Sequence, residues 1–69
     1  MNKFIEVASA TGVTIYVNVA AIICFREHYF PKGGKYITEI TTIGNESIMA
    51  DMRAFEIKEQ IDEIDREDD

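Results

Sequence analysis

The sequence predicts an α+β fold, in which a small four-stranded antiparallel β-sheet is followed by one C-terminal helix. Three observations lead to this prediction. Apolar and polar residues alternate on both sides of a glycine turn in residues 4–17. The apolar run IYVNVAAIICF, residues 15–25, is rich in β-branched residues and is broken by Asn18. Helix-forming residues with an apolar stripe follow residue 51.

The first two strands form a hairpin. Phe4–Ala8 has the alternation of a half-buried strand, and Gly12 supplies the backbone freedom of a tight turn. Residues 13–17 then continue at period 2. At Asn18 the alternation stops, and an Asn side chain can accept a hydrogen bond from a backbone N–H just beyond it. We therefore expect a short helical turn near residues 18–21 that reorients the chain.

The apolar run that contains this turn is not a membrane span. A spanning helix needs about 20 apolar residues, whereas this run is bounded by Gly12 on one side and by Arg26-Glu27 on the other. A single buried helix is disfavoured too, because Val, Ile and Tyr are weak helix formers. We expect Ile22–Glu27 to be a central strand covered on both faces.

Two more strands complete the sheet. Residues 27–36 (EHYFPKGGKY) form the longest irregular stretch and predict a loop, since Pro31 and two glycines lie within it. Tyr36–Thr42 is threonine-rich and β-prone, residues 43–45 offer a second hairpin turn, and Ser47–Ala50 returns as a short fourth strand.

The helix is predicted to start at about residue 51, with Asp51 as its N-cap. Met52 and Phe55 point away from the apolar stripe; we expect Phe55 to pack on the sheet edge, the alternative being contact with another subunit. Residues 1–65 then form a single domain, and 66–69 (REDD) an acidic, flexible tail. The stripe that should pack on the sheet consists of Ala54, Ile57, Ile61 and Ile64.

FIEV, a turn glycine, TIYVNVAAI, a variable loop, ITEITTIG and IMADMRAF follow one another over nearly the whole chain. This order of segments resembles small bacterial proteins of the FlbD type and their relatives in genomes and mobile elements. Three features depart from the pattern of these proteins. Ala50-Asp51 stands where a Glu-Ser helix entry is more typical, and the chain also has a long aromatic loop at 28–36 and an acidic tail. The resemblance implies a compact β-rich fold with a terminal helix, a flagellar role for part of the group, and no active-site residues. It is carried by Phe4, Ile5, Val7, Gly12, Asn18, Val19, Ile22 and Gly44.

Size and cysteine content favour self-association in the cytoplasm. A 69-residue chain is near the size at which one core supplies only about 3–5 kcal/mol of net stability. Cys24 is the only cysteine, so neither an intrachain disulfide nor a Cys-rich metal site can add to this stability. We therefore expect a homo-oligomer, with a dimer favoured, in a reducing, cytoplasmic setting.

The charge distribution disfavours nucleic acid as a partner. Residues 1–50 carry no net charge, whereas residues 51–69 hold nine acidic and three basic residues and so the whole net charge of −6. A binder of the phosphate backbone needs a basic footprint, and the acidic end would repel a polyanion over about 8–10 Å.

No pattern of catalysis, metal binding or cofactor binding is found. Cys24 and His28 suggest a thiol–imidazole pair, but four residues of strand span roughly 13 Å. Residues 32–35 (KGGK) lack the spacing of a phosphate loop and a following helix. One His and one Cys give too few ligands for a metal site. We expect a protein that is not an enzyme and has no cofactor.

A surface for a protein partner is the remaining functional feature. Aromatic and basic residues cluster in the predicted loop, and aromatics and Arg are enriched where proteins bind one another. The predicted function is a non-enzymatic interaction module that self-associates and binds a protein through the 28–36 loop or a strand edge. Alternatively, Phe30 and Tyr36 fold back over the open end of the sheet, or the cations and loop aromatics serve a small nucleic-acid-associated regulator. The candidate residues are Arg26, His28, Tyr29, Phe30, Lys32, Lys35 and Tyr36.

Overall fold

A computed structural model describes residues 3–67, which form an α+β fold as predicted. Five strands, and not four, lie in this part of the chain, so that Ser47–Ala50 is the fifth strand. They make two antiparallel sheets instead of one, because the corner after the second strand separates it from the third. The elements are β1 (Phe4–Ala8), β2 (Thr14–Asn18), a 3₁₀ turn (Val19–Ala21), β3 (Ile22–Phe30), β4 (Lys35–Thr42), β5 (Ser47–Ala50) and α1 (Ala54–Glu67).

The corner at Asn18 is confirmed. Asn18 is extended, and its Oδ1 accepts a hydrogen bond from the Ala20 N–H at 3.0 Å, while Ile22 is extended again. Two backbone hydrogen bonds tie the corner to both sheets, from Val19 N–H to the Lys3 carbonyl at 2.9 Å and from Ile43 N–H to the Ala21 carbonyl at 2.8 Å.

The two sheets, β1-β2 and β3-β4-β5, join at the end of β1 and the start of the turn that leads to β2. Ser9 bridges Ala50, the Ala10 N–H donates to the Met49 carbonyl at 3.0 Å, and the Asp51 N–H donates to the Ala8 carbonyl at 2.7 Å. The strands thus follow one another spatially as β2-β1-β5-β4-β3, which leaves β2 and β3 as the edges.

The core lies between the sheets and α1. Alternate residues of each strand face inward. The predicted helix stripe is confirmed for its three isoleucines: Ile57 is fully buried, and Ile61 and Ile64 are half-buried against the same cluster. Ala54, the fourth residue of the stripe, is half-buried at the start of α1. Thr38 is also fully buried, and its hydroxyl donates to the Met52 carbonyl at 2.7 Å. The buried cluster consists of Ile5, Val7, Val17, Ile40, Ala50 and Ile57.

β3 is not the central strand that its apolar start predicts; in the three-stranded sheet β4 is central, and β3 is an edge. The run of apolar residues has another cause. The register of β3 on β4 shifts between Ile22 and Cys24, which turns Ile23 outward and leaves it 59% exposed, while Phe25 packs on the core. A bulge, and not burial on both faces, explains consecutive apolar residues here.

The predicted loop at 27–36 is also wrong, because residues 27–30 continue β3 and residues 35–36 begin β4. Pro31 restricts Phe30 to an extended conformation, which a strand satisfies. Gly33 and Gly34 have φ angles of 98° and 60°, a region that glycine adopts readily, so the turn needs only residues 31–34.

α1 begins at Ala54 and not near Asp51. The Asp51 carboxylate instead lies 3.2 Å from the Lys35 ammonium. Met52, predicted to lie off the apolar stripe in the first turn of the helix, precedes α1 and packs against the core, and its Sδ accepts a hydrogen bond from the Ala8 N–H at 3.4 Å. Of the predicted tail, Arg66 and Glu67 lie in α1, and residues 68 and 69 lie outside the described residues.

Candidate functional site

The predicted partner-binding residues lie on the β3–β4 hairpin, but strand alternation divides them between two faces. Tyr29 pairs with Tyr36 on the face that carries the start of α1. Arg26, His28, Phe30 and Lys35 lie on the opposite face, and Lys32 lies in the exposed turn. The structure therefore does not bring the seven residues together as one surface.

The inner face of the hairpin carries a stack of three aromatic rings and one guanidinium. The ring centroids of Tyr29 and Tyr36 lie 4.8 Å apart, with the planes tilted by 44°. Cζ of Arg53 lies 3.7 Å from the Tyr36 centroid and 5.8 Å from the Phe55 centroid. We name Tyr29, Tyr36, Arg53 and Phe55 the aromatic–arginine cluster.

Arg53 and Phe55 were not among the predicted site residues. Phe55 was expected to pack on the sheet edge, yet it is 56% exposed. The one signal in the sequence is the RAF triplet at the helix entry, but its proximity to the tyrosines depends on how β4, β5 and α1 are arranged in space.

Glu27 fixes the guanidinium of Arg53 in this stack. Its Oε2 accepts hydrogen bonds at 2.9 Å from Arg53 Nε and from the backbone N–H of Ala54. The hydrogen bond from Arg53, followed by that from Ala54, lowers the pKa of Glu27, and the same bond raises the pKa of Arg53. Both groups stay charged near neutral pH, so the cluster combines apolar rings with a held cation.

The outer face of the hairpin is a set of paired polar groups. His28 Nε2 lies 3.0 Å from Glu39 Oε1, and Lys35 is held by Asp51. Arg26 donates to Cys24 Sγ at 3.7 Å, a contact that, with the nearby Glu39 charge, raises the pKa of Arg26. The hydrogen bond from His28 is the main cause that lowers the pKa of Glu39, followed by one from Ser47.

These contacts answer two alternatives considered above. Cys24 and His28 engage Arg26 and Glu39 respectively and do not form a thiol–imidazole pair. Of the two aromatics that could cover the sheet end, Tyr36 is half-buried under Arg53, whereas Phe30 is 46% exposed.

Two shallow surface grooves flank Asp51 and Met52. One of about 220 Å³ runs beside the aromatic–arginine cluster, past Tyr36 and Arg53. The other, of about 390 Å³, lies between β1 and α1 and is bordered by Glu6, Glu56 and Gln60. Within residues 3–67, no group of three or more His, Cys, Asp or Glu side chains is placed to hold a metal ion. Over the same residues, no helix has the length and apolarity needed to cross a membrane.

Comparisons of the chain with models of protein families, with curated proteins and with solved structures find no match.

Proposed function

We propose that the protein is a non-enzymatic interaction module that binds a partner protein through the aromatic–arginine cluster and also self-associates. The observation that carries the proposal is the guanidinium of Arg53 stacked on Tyr36 and facing Phe55. Tyr and Arg are among the residue types that most often dominate the binding energy of protein interfaces, and they do so in clusters.

The rigidity of the cluster supports this proposal. Tyr29 and Tyr36 sit on paired strands, and the Glu27 hydrogen bond immobilises Arg53 at the entry to α1. Side chains already held in place lose less conformational entropy on binding, so more of the contact energy is available as affinity. Tyr29 and Phe55 are each more than half exposed, which leaves their rings accessible to a partner.

Charge supports a protein partner over nucleic acid. Lys35 is paired with Asp51, and Arg53 with Glu27. Arg26 lies on the face opposite the cluster, and Lys32 lies in the turn, so the predicted cations are dispersed. A partner that presents apolar or aromatic side chains suits such a locally neutral surface. We also propose that the protein acts in the cytoplasm and is related to FlbD-type proteins.

Partner capture from the native host with two matched variants tests this function. Tyr29→Ser with Phe55→Ser removes two exposed rings of the cluster, whereas Phe30→Ser removes an exposed ring from the other face of the same hairpin. We expect the double variant to lose a partner that wild type and Phe30→Ser both retain, with all three equally folded by circular dichroism. Equal capture by the double variant, or no partner specific to wild type, would refute the proposal.

A further inference from the structure

The free edge of β2 is the least protected strand edge in residues 3–67. β2 pairs with β1 on one side only, and no described residue pairs with its other side. Its five residues, TIYVN, include no charge and no proline. β3, the other edge strand, carries Arg26, Glu27 and His28 and a register shift. Charges and bulges are the devices that keep sheet edges from pairing, and β2 has neither.

The backbone groups of β2 that point to this free edge can be identified from contacts on β1. The N–H and C=O of Glu6 bond to the Gln60 side chain, each at 2.9 Å, and therefore point away from β2. In an antiparallel ladder, the two residues of a pair either both direct their N–H and C=O groups toward each other or both direct them away from each other. Tyr16, the partner of Glu6, thus directs its N–H and C=O to the open side, as does Thr14 at period 2. Asn18 directs its N–H there as well, whereas its C=O, as that of the N-cap, accepts the first hydrogen bond of the 3₁₀ turn.

This edge is complementary to itself. An antiparallel pairing about a two-fold axis at Tyr16 sets Tyr16 opposite its own copy and Thr14 opposite Asn18 of the second copy. About four backbone hydrogen bonds would then form between the chains, two at Tyr16 and one from each Asn18 N–H to the Thr14 carbonyl of the other copy. On the inner face, half-buried Ile15 would meet Val17 of the second copy, which extends the apolar core across the interface.

Electrostatics permits the pairing. The nearest charged residue on the outer face is Glu6, the β1 neighbour of Tyr16. Three strand spacings of about 4.8 Å would separate the two Glu6 residues, roughly 14 Å in total, which exceeds the Debye length of about 8–10 Å. Tyr16, 65% exposed, and Phe4, 52% exposed, would form one aromatic strip across the four strands.

We propose that β2 pairs antiparallel with β2 of a second copy of this chain, in register at Tyr16, to make a continuous four-stranded sheet β1-β2-β2-β1. This inference rests on the self-association in the proposed function and assigns its site. The cluster that is proposed to bind the partner protein lies elsewhere, at the start of α1, so the two surfaces can be tested separately.

A charge-reversal pair at Tyr16 tests the register. In Tyr16→Lys, as in Tyr16→Glu, the two-fold axis sets like charges opposite each other in place of the Tyr–Tyr pair, so each variant should raise the dimer dissociation constant about 10-fold. An equimolar mixture should recover dimers, because Lys then faces Glu. Sedimentation equilibrium on wild type, each variant and the mixture gives the constants.

Tyr16→Pro is a second variant with a different action. Proline is tolerated on a strand edge whose N–H faces outward, so the variant should fold, yet both chains lose one inter-chain hydrogen bond and the dimer should weaken about 100-fold. Ile23→Lys on β3 is the matched control and should leave the dimer unchanged.

Three outcomes would overturn the proposal. These are a wild type that is monomeric at millimolar concentration, a dimer that Tyr16→Lys leaves intact, and a dimer that Ile23→Lys dissociates. Partner capture by a monomeric Tyr16→Lys would leave the proposed function standing.

Discussion

The Glu27 carboxylate on β3 caps the helix that begins at Ala54, accepting its backbone N–H at 2.9 Å. The first N–H groups of a helix have no partner within it, and Asp, Asn, Ser or Thr from the preceding residue usually accepts one of them. Here the carboxylate comes from a distant strand. Glu56 adds a second carboxylate, whose Oε1 accepts the Arg53 N–H at 3.0 Å. The sheet thereby determines where α1 starts.

Replacing Glu27 by Ala should lower the melting temperature by about 5 °C, because the cap and the ion pair to Arg53 are lost together. Glu46→Ala removes a carboxylate of equal charge from the exposed β4–β5 turn and should change the melting temperature by less than about 2 °C. Thermal unfolding followed by circular dichroism measures both. Equal shifts in the two variants would show that Glu27 does not cap α1.

The same carboxylate predicts an acid-dependent stability. Its hydrogen bonds lower the pKa of Glu27, and His28 does the same for Glu39, below the ordinary value of 4.5. A lowered folded-state pKa means that the stabilisation is present above the unfolded value and is lost as the pH falls through the folded one. The urea midpoint should therefore fall as pH is lowered below about 4.5.

Glu27→Gln should flatten this acid-side decline, and Glu46→Gln should leave it as steep as in wild type. Urea titrations at half-unit steps between pH 3 and 7 are sufficient to compare the slopes. A decline that Glu27→Gln leaves unchanged would assign the acid sensitivity to other carboxylates.

Thr38 provides a test of the buried contact between β4 and the segment before α1. Thr38→Val keeps the shape but removes the hydroxyl that bonds to the Met52 carbonyl, and it should cost about 1–2 kcal/mol of unfolding free energy. Thr41→Val, on the outer face of the same strand and half-buried, is the control and should cost under about 0.5 kcal/mol. Urea denaturation measures both, and a neutral Thr38→Val would show that the bond adds no stability.

Local patterns in the sequence were sufficient to predict the features that short-range interactions decide. Asn18 forms its corner with Ala20, two residues on, and the stripe from Ile57 to Ile64 follows from helical spacing alone. These features need no knowledge of the rest of the chain. The α+β class followed because such patterns dominate this short sequence.

Distant contacts decided the features that the sequence did not predict. The start of α1 depends on Glu27, which is 27 residues from Ala54. Asp51 is a good N-cap by type but is engaged by Lys35. The candidate site shows the same limit: its two tyrosines lie in the predicted loop, whereas Arg53 joins them only because β5 returns the chain along β4.

Arg53→Lys separates the shape of the guanidinium from its charge. Lysine keeps the cation but has no planar group to stack on Tyr36 and face Phe55. We expect partner binding to weaken about 10-fold, the equivalent of a lost stacking contact, while the fold is retained. Arg26→Lys makes the same change on the outer face and should bind as wild type does. Titration calorimetry with the captured partner measures the three affinities. If Arg53→Lys bound as tightly as wild type, the charge and not the stack would be what the partner recognises.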